Sequence, residues 1–220
     1  MDKLVYFTMY DHCKLADSFE RNAREIGFEH IEHFDLMNLI NSGFYKKHRR
    51  KFDTLKNAGC VWKPYIISEV INRSIAGDFI YYSDVTDLLK PGLLEIAKAQ
   101  ARLYSYLLVR SNFVNCEWTK WDCFRLMNCD SESYLEVNQL DAGQLGFFIT
   151  QYTKEFINHW LELCENDDLL LDHTITSERF NLKRHSRDQS ILTNLARLYK
   201  IPAIPINEYI KYYTPNFRSP

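Results

Sequence analysis

Apolar and polar residues along this chain repeat with two different periods, and their alternation predicts strands separated by helices. Residues 3–10 form a continuous apolar and aromatic run, which is typical of a strand buried on both faces. Residues 14–26 carry apolar side chains at helical spacing, and Gly27 is a natural helix stop. Residues 28–34 alternate and predict a second strand, which ends at Asp35. This order of strand, helix and strand is the signature of a parallel sheet with crossover helices.

The same alternation continues through the rest of the chain. Further strands are predicted at 79–83, 107–114 and 137–149, and further helices at 64–76, 93–107, 119–127, 153–165 and 186–200. Gly143 and Gly146 inside the third of these strands indicate a bulge or a close approach by a ligand. Because the chain shows no internal repeat, low-complexity tract or linker, we predict one α/β domain. Its central sheet is expected to be mostly parallel, with helices on both faces.

Local signals predict where two of these helices begin and end. Pro64 suits a first helical position, which leaves Lys63 just before the helix. An apolar stripe runs along this helix as far as Ile75, and Gly77 is expected to end it. Thr119 is expected to cap the helix that follows it.

Composition narrows the class of protein. The chain has 220 residues and a formal net charge of −2, so it suits one domain and argues against a general nucleic-acid binder. The basic run at 46–51 is therefore expected to be a solvated helix face or loop. No stretch of about 18 apolar residues predicts a membrane span, and the N-terminus lacks the layout of a signal peptide.

The six cysteines are scattered and form no CxxC pair. We read them as reduced thiols, so a cytoplasmic location is expected. A zinc site built from Cys116, Cys123 and a histidine is a minor alternative, because structural zinc ligands usually come in closer pairs.

Charged residues flank the helix and strand predicted between residues 61 and 87. Lys63 and the free N–H groups of the helix that starts at Pro64 together favour an anion. Asp84 and Asp87 follow a buried strand, and ligands of open α/β sheets bind beyond the carboxyl ends of parallel strands. Hard divalent cations prefer oxygen ligands. A metal-bridged diphosphate is the simplest ligand that satisfies all three groups.

The run NAGCVWKPYIISEVINRSIAGDFIYYSD, which ends at Asp84, resembles the donor-binding half of glycosyltransferases with the GT-A fold. Further along, the segments TKWDCF, NQLDAGQLGF and HSRDQSILTNLARLYKI are similar to later segments of the same family, so that the resemblance spans residues 3–201. It implies a single GT-A-like domain over residues 1–220. The nucleotide-sugar part would occupy about 1–90 and the acceptor side about 91–205, in a chain that stands alone or belongs to a larger multidomain glycosyltransferase.

On the donor side, the resemblance implies that Thr8 and Tyr10 face the nucleotide base and ribose, just after the first strand. Lys63 would contact the diphosphate. Asp84 would hold a Mn²⁺ or Mg²⁺ ion that bridges both phosphates. Thr8 and Tyr10 equally suit plain packing in the sheet.

The metal motif departs from the family pattern. The usual motif is Asp-x-Asp, whereas this chain has SDVTD, which places Asp87 three residues after Asp84. Either Asp87 is a displaced second ligand, or Asp84 binds the metal with help from His185 and water. His185 equally suits a plain surface position.

On the sugar side, the resemblance implies that Gln139 and the turn at Gly143 line the sugar pocket. Asp188 would lie near the anomeric carbon or bind sugar hydroxyls, although Ser186 and Gln189 also fit a capping box around it. Asp122 is a candidate base together with Asp188 and Asp141. Trp118 and Trp121 are candidates for an acceptor platform, with core packing as the alternative.

The resemblance therefore implies transfer of a sugar from a nucleoside diphosphate donor, with UDP expected, to a hydroxyl acceptor such as a glycan. A retaining course is slightly favoured over an inverting one. Two alternatives stay open, a nucleotide-sugar hydrolase and a catalytically degenerate binding or assembly module. A nucleotidyltransferase is disfavoured, since no glycine follows the first strand.

Overall fold

The computed structural model describes residues 1–9, 13–54 and 56–215, without the side chains of residues 13, 54, 56 and 57. Eight strands are found among them: β1 Asp2–Thr8, β2 His30–Asp35, β3 Phe79–Ser83, β4 Leu88–Leu89, β5 Tyr106–Val114, β6 Asn138–Phe148, β7 Ile204–Pro205 and β8 Tyr213–Thr214. The strands predicted in the central part of the chain are all present, within a few residues of their predicted bounds.

The described residues form twelve α-helices. Five of them pack on the sheet, and each of these five is at least ten residues long. These five are α1 Ala16–Glu25, α4 Trp62–Arg73, α5 Leu93–Tyr104, α9 Gln151–Glu165 and α11 Asp188–Leu198. The remaining helices are α2 Leu36–Ile40, α3 Gly43–Thr54, α6 Asn115–Trp118, α7 Trp121–Leu126, α8 Glu132–Leu135, α10 Asp167–Leu170 and α12 Ile206–Tyr209. The helix α3 has twelve residues but is kinked at His48, where φ is −110°.

Six strands form one central sheet in the order β2-β1-β3-β6-β5-β7, and β4 and β8 form a separate pair. In the central sheet β1 is parallel to β2 and β3, β5 is parallel to β7, and β6 is antiparallel to both of its neighbours. Five strands therefore run in one direction, which confirms the predicted mostly parallel sheet.

Helices cover both faces of this sheet because successive side chains of a strand point to opposite faces. On β1, Val5 and Phe7 pack into the core beneath α4, α9 and α11. Leu4 and Tyr6 pack into a second core beneath α1, α5 and α12. The buried run predicted for the first strand is confirmed, as is the flanking of the sheet on both faces.

The start and end of α4 differ from the prediction. This helix begins at Trp62, so that Lys63 is its second residue rather than the residue before it. It ends at Arg73 because Ser74 is extended, with φ −88° and ψ 153°, and Ile75 is 73% exposed instead of continuing the apolar stripe. Gly77 lies in the turn beyond, with φ +90°.

Both predicted caps in the second half of the chain are wrong. Lys120, not Thr119, precedes α7, and the Thr119 hydroxyl donates instead to Asn115 Oδ1 at 2.7 Å. Arg187 precedes α11 without a side-chain cap, so Ser186 and Gln189 form no capping box. The Thr119 hydroxyl also accepts from Gln139 Nε2 at 2.9 Å, and Gln189 Nε2 donates to Gln139 Oε1 at 2.8 Å. These side chains therefore serve tertiary contacts, which local sequence signals do not report.

The basic run at 46–51 lies on α3 and is largely paired with acids on neighbouring helices. Lys47 and His48 contact Glu165 at 2.7 and 2.9 Å, and Lys51 contacts Asp167 at 2.7 Å. These residues therefore hold α3 against the end of α9 and against α10.

None of the helices within the described residues is long and apolar enough to span a membrane. The five cysteines whose side chains are described, Cys60, Cys116, Cys123, Cys129 and Cys164, are free thiols. Among the described residues, no three His, Cys, Asp or Glu side chains are arranged to hold a metal ion. The structure therefore gives the zinc alternative no support.

Candidate active site

A cleft with two chambers opens beyond the carboxyl end of β3, where ligands of open α/β sheets bind. The larger chamber has a volume of about 420 Å³, and Asp141, Gly143 and Asp188 contribute to its wall. The smaller chamber, of about 130 Å³, lies toward the end of β1. Three residues line both chambers and therefore mark where they join, namely Cys60, Lys63 and Asp84.

Lys63 lies at the centre of this cleft between two carboxylates. Its Nζ is 3.2 Å from Asp84 Oδ1 and 3.8 Å from Asp188 Oδ2. The ammonium also donates to the Ala142 carbonyl at 3.0 Å and lies 5.1 Å from the centre of the Tyr82 ring. The structure thus brings together the two residues on which the predicted diphosphate site depends, and adds Asp188 from a distant part of the chain.

Backbone pairing explains how three elements meet at this point. The Asp84 amide donates to the Gly143 carbonyl at 3.0 Å, which extends the β3–β6 pairing by one residue and places Asp84 beside β6. Lys63 reaches the neighbouring Ala142 carbonyl from α4. Asp188 begins α11, and its carbonyl accepts a hydrogen bond from Trp160 Nε1 on α9 at 3.0 Å.

The cluster carries more negative charge than its surroundings neutralise. Burial raises the pKa of Asp188 to about 6, with Lys63 opposing the rise and Asp84 adding to it. Burial works against a charged Lys63, but Asp84 and Asp188 outweigh it and raise the Lys63 pKa. Asp188 Oδ2 is buried and accepts no hydrogen bond from the described residues. Buried polar atoms are rarely left without a hydrogen bond, so this oxygen is a candidate acceptor for a ligand's donor group.

Gly143 keeps the wall of the larger chamber open. A Cβ atom at this position would lie 3.0 Å from Asp141 Oδ1 and 3.1 Å from Asp84 Oδ2. Asp141 itself accepts from the Gly143 amide and from the Tyr213 hydroxyl, both at 2.8 Å, and burial raises its pKa. Gly143 lines the larger chamber, and a close approach by a ligand there stays a prediction.

The chain is strained on both sides of the cleft. Ala58, Gly59 and Cys60 have φ of 48°, 63° and 63°, which turns the chain into α4 just before Lys63. Arg187, just before Asp188, has φ 50° and ψ −115°, and its guanidinium is held by Asp172 at 2.6 Å. Non-glycine residues in such conformations cluster at functional sites, where the surrounding structure maintains them.

Two residues predicted to contact the ligand lie away from the cleft. Thr8 is fully buried, and its hydroxyl bonds His33 Nε2 at 2.8 Å on the neighbouring strand, while Phe7 and Met9 line the smaller chamber. Gln139 is also fully buried, and its amide joins the network beneath α11, where its Oε1 accepts from Gln189 at 2.8 Å. Tyr10 lies outside the described residues.

The three predicted metal ligands do not converge. The Asp87 amide closes a turn onto the Asp84 carbonyl, which points the Asp87 carboxylate toward Gln144 Nε2, 2.7 Å away. His185 accepts from the Lys120 amide at Nδ1 and donates from Nε2 to the Leu169 carbonyl, and burial lowers its pKa to about 4. Within residues 1–9, 13–54 and 56–215, no three His, Cys, Asp or Glu side chains are arranged to hold a metal. The predicted set of Asp84, Asp87 and His185 therefore does not fit Mn²⁺ or Mg²⁺.

Asp122 is one of the predicted candidate bases, and the structure places it beneath the loop that follows α10. Its buried carboxylate accepts from the Ile175 and Thr176 amides and from the Thr176 hydroxyl. Burial would raise the pKa of Asp122, but these hydrogen bonds outweigh it and hold the pKa below its usual range. This geometry anchors a loop and does not reach the cleft.

We expect Asp122→Ala to lower the free energy of unfolding by about 1–3 kcal/mol, because it leaves buried amides without acceptors. Since the folded-state pKa of Asp122 is depressed, its contribution to stability exists at neutral pH and is lost as the pH falls through that pKa. Thermal denaturation measures this, with Asp53→Ala, which removes an exposed ion pair to Arg49, as the control. Unchanged stability with lost transfer activity would instead give Asp122 a catalytic role.

Several residues of the cleft have no signal that singles them out in the sequence. Cys60, Arg184 and Arg187 all line the larger chamber. Burial raises the pKa of Cys60 to about 12, so its thiol is neutral. Gly59 is the one local clue, since a glycine marks the turn that places Cys60.

No protein-family model matches this chain, and no curated protein matches it. Several solved structures do match this chain. The galactosyltransferase LgtC, in complex with donor and acceptor sugar analogs, aligns with 93% of this chain and 73% of its own, at a TM-score of 0.53 and 12% identity.

Two other matches cover more of their own chains at lower TM-scores. Mouse xyloside xylosyltransferase 1, in its apo form, aligns with 92% of this chain and 84% of its own, at a TM-score of 0.48 and 9% identity. A glycosyltransferase involved in glycosylation of the major capsid of PBCV-1 aligns with 99% and 94%, at a TM-score of 0.46 and 9% identity. The similarity to LgtC establishes the predicted architecture: this chain has the α/β fold of GT-A glycosyltransferases.

Proposed function

We propose that this protein transfers a sugar from a nucleoside diphosphate sugar, with UDP as the expected nucleotide, to the hydroxyl group of a glycan or similar acceptor. One observation carries the proposal. In a GT-A fold, the buried Lys63 ammonium and the buried Asp188 carboxylate, whose Oδ2 accepts no hydrogen bond from the described residues, lie 3.8 Å apart in a cleft beyond the carboxyl end of β3. The ammonium suits the diphosphate, and the carboxylate oxygen suits a sugar hydroxyl.

In this proposal the two chambers hold different parts of the donor. The diphosphate would lie at their junction, beside Lys63, with the nucleoside toward Phe7 and Met9. The sugar would enter the larger chamber, whose volume of about 420 Å³ is within the range of small-molecule sites. There the Asp188 oxygen would accept a hydrogen bond from a sugar hydroxyl, and Gly143 would leave room for the ring.

Cleavage of the bond between the anomeric carbon and the diphosphate moves an electron pair onto the leaving phosphate oxygen. A positive group held in place where this charge develops lowers the barrier without having to reorganise. Lys63 meets that condition, since its side chain is only 7% exposed and is fixed by three partners. The acceptor oxygen then bonds to the anomeric carbon and releases its proton.

The retaining course is part of this proposal. In it the departing phosphate oxygen takes the acceptor's proton, so that no separate carboxylate base is needed. Asp122 lies under a loop, and both oxygens of Asp141 already accept hydrogen bonds. These contacts disfavour Asp122 and Asp141 as a base, and the proposal assigns Asp188, the remaining candidate, to binding the sugar.

Titration with UDP, GDP and their glucose and galactose derivatives tests the proposal, with and without Mn²⁺. A ligand at about 100 times its Kd should stabilise the protein by about 2.7 kcal/mol, which raises the melting temperature by about 5–10 °C. Release of free sugar or formation of a glycoside is measured in parallel.

Three results are informative. Binding with transfer to an acceptor supports the transferase, and binding with release of free sugar alone identifies a hydrolase. Binding without turnover identifies the degenerate module. No stabilisation by any nucleoside diphosphate would overturn the proposed function.

A further inference from the structure

Two arginines at the mouth of the larger chamber give the cleft opposite charges at its floor and its rim. The floor contains the carboxylates of Asp84, Asp141 and Asp188, whereas Arg184 and Arg187 lie on the segment that leads into α11. Asp172 neutralises Arg187 at 2.6 Å. No carboxylate among the described residues pairs with Arg184, which is exposed. One positive charge at the rim is therefore available to a ligand.

Arg184 lies against the ring of Trp118, a residue whose backbone carbonyl accepts three hydrogen bonds. Its guanidinium carbon is 5.5 Å from the centre of the Trp118 ring. The Trp118 carbonyl accepts from the Ser186 amide at 2.9 Å, from Ser190 Oγ at 2.9 Å and from Gln139 Nε2 at 3.1 Å. Stacking on an aromatic face restrains a guanidinium, so less freedom is lost when it binds an anion.

Lys183, the residue before Arg184, lies over the same ring but is paired with an acidic residue. Lys183 Nζ also lies over the Trp118 ring, at 6.0 Å, but it is paired with Glu117 at 2.7 Å. The two cations share one ring and adjacent positions in the sequence, and only Arg184 lines the chamber. Lys183 therefore provides a matched control for Arg184.

We propose that the acceptor is an anionic sugar whose charged group is bound by Arg184 beside Trp118. This inference rests on the proposed function and specifies its acceptor class. A guanidinium binds a carboxylate or phosphate through two parallel hydrogen bonds, and the contact with the Trp118 ring restrains the guanidinium. The acceptor's hydroxyl would then point inward, toward the donor sugar above the carboxylate floor.

Binding of simple glycosides to the UDP-loaded protein tests the inference. Methyl β-D-glucuronide, methyl β-D-glucoside and the 6-phosphate of the latter are compared by ligand-observed NMR titration. We expect at least one acidic glycoside to bind about tenfold more tightly than the neutral one, as one charge-assisted hydrogen-bonded pair allows. The two acidic ligands distinguish a carboxylate from a phosphate. The preference should shrink at high salt, because the rim is exposed.

Arg184→Gln should remove the preference while UDP binds as before, and Lys183→Gln should retain it. Equal binding of acidic and neutral glycosides, binding of none of them, or a preference unchanged in Arg184→Gln would each overturn the inference. These results are distinguishable from failure of the proposed function, which is loss of UDP binding by the unmodified protein.

Discussion

Lys63→Met is expected to cost the folded protein about 3 kcal/mol, because it leaves Asp188 buried without a compensating charge. Lys63 is 6% exposed and Asp188 is 5% exposed, whereas the side chain of Asp84 is 42% exposed and remains hydrated. The loss should therefore be at the lower end of what removing one partner of a buried ion pair costs. For a protein of this size it corresponds to a fall in melting temperature of about 6–12 °C.

The pH dependence of this loss follows from the Asp188 pKa of about 6. A carboxyl group with a raised pKa binds its proton more tightly in the folded state, so stability falls as pH rises from the unfolded value through the folded one. Removing Lys63 takes away the charge that opposes this rise, so the Asp188 pKa should rise further. The variant should consequently lose more stability at about pH 7.5 than at about pH 5, where Asp188 is neutral.

Calorimetry should show a second effect of Lys63→Met on the same protein. We expect affinity for a nucleoside diphosphate to fall by about 10–100-fold, while affinity for the nucleoside changes little, since only the former meets the ammonium. The control is Lys98→Met, which removes the Lys98–Asp2 pair at 2.6 Å, outside the cleft. Equal losses for both ligands, or a loss of stability that is the same at both pH values, would contradict the assignment.

Asp188→Asn is expected to lower the transfer rate by about 100-fold and to leave the protein at least as stable at neutral pH. The substitution keeps the shape of the side chain but removes a buried charge that Lys63, 3.8 Å away, only partly compensates. It also replaces one of the two carboxylate oxygens with an amide donor, so that Oδ1 and Oδ2 can no longer both accept hydrogen bonds. Loss of activity without loss of stability is the pattern of a residue kept for function.

Initial rates and melting curves between about pH 5 and pH 8 test this prediction. The rate of the unmodified protein should fall as the pH drops through about 6, because Asp188 gains a proton there, and the variant should lack this dependence. Asp168→Asn, which removes an exposed charge paired with His173, provides the control. Transfer within about threefold of the unmodified rate would exclude Asp188 from the site.

Periodicity predicted the elements well because burial on a sheet or helix face leaves a repeating mark in the sequence. Residues 79–83 are predicted as a strand and form β3 with the same bounds. The amphipathic stretch at 153–165 lies within α9, where Phe156, Ile157 and Trp160 are buried. Helix boundaries were predicted less well, since the bounds of α4 and the starts of α7 and α11 depend on tertiary contacts.

The candidate site was predicted in part. The sequence placed Lys63 beside Asp84, but it did not show where the side chains of Asp87 and His185 point. Lys63 and Asp84 were expected beside one another, since a strand and the helix before it carry them, and the distance of 3.2 Å agrees. Asp87 and His185 were predicted as ligands from spacing and resemblance, but a turn and a buried loop direct them elsewhere. Spacing places a residue in the chain, whereas side-chain direction depends on what packs around it.

For this protein, amino-acid order determines the strands and helices, the buried run of the first strand and the resemblance to GT-A glycosyltransferases. Those properties are local, since they repeat over a few residues or occupy one continuous segment. The meeting of Lys63 with Asp188, 125 positions away in the sequence, arises only once α4, β6 and α11 pack together. The unpartnered oxygen and its raised pKa exist because that packing excludes water, and no short segment of the chain contains this information.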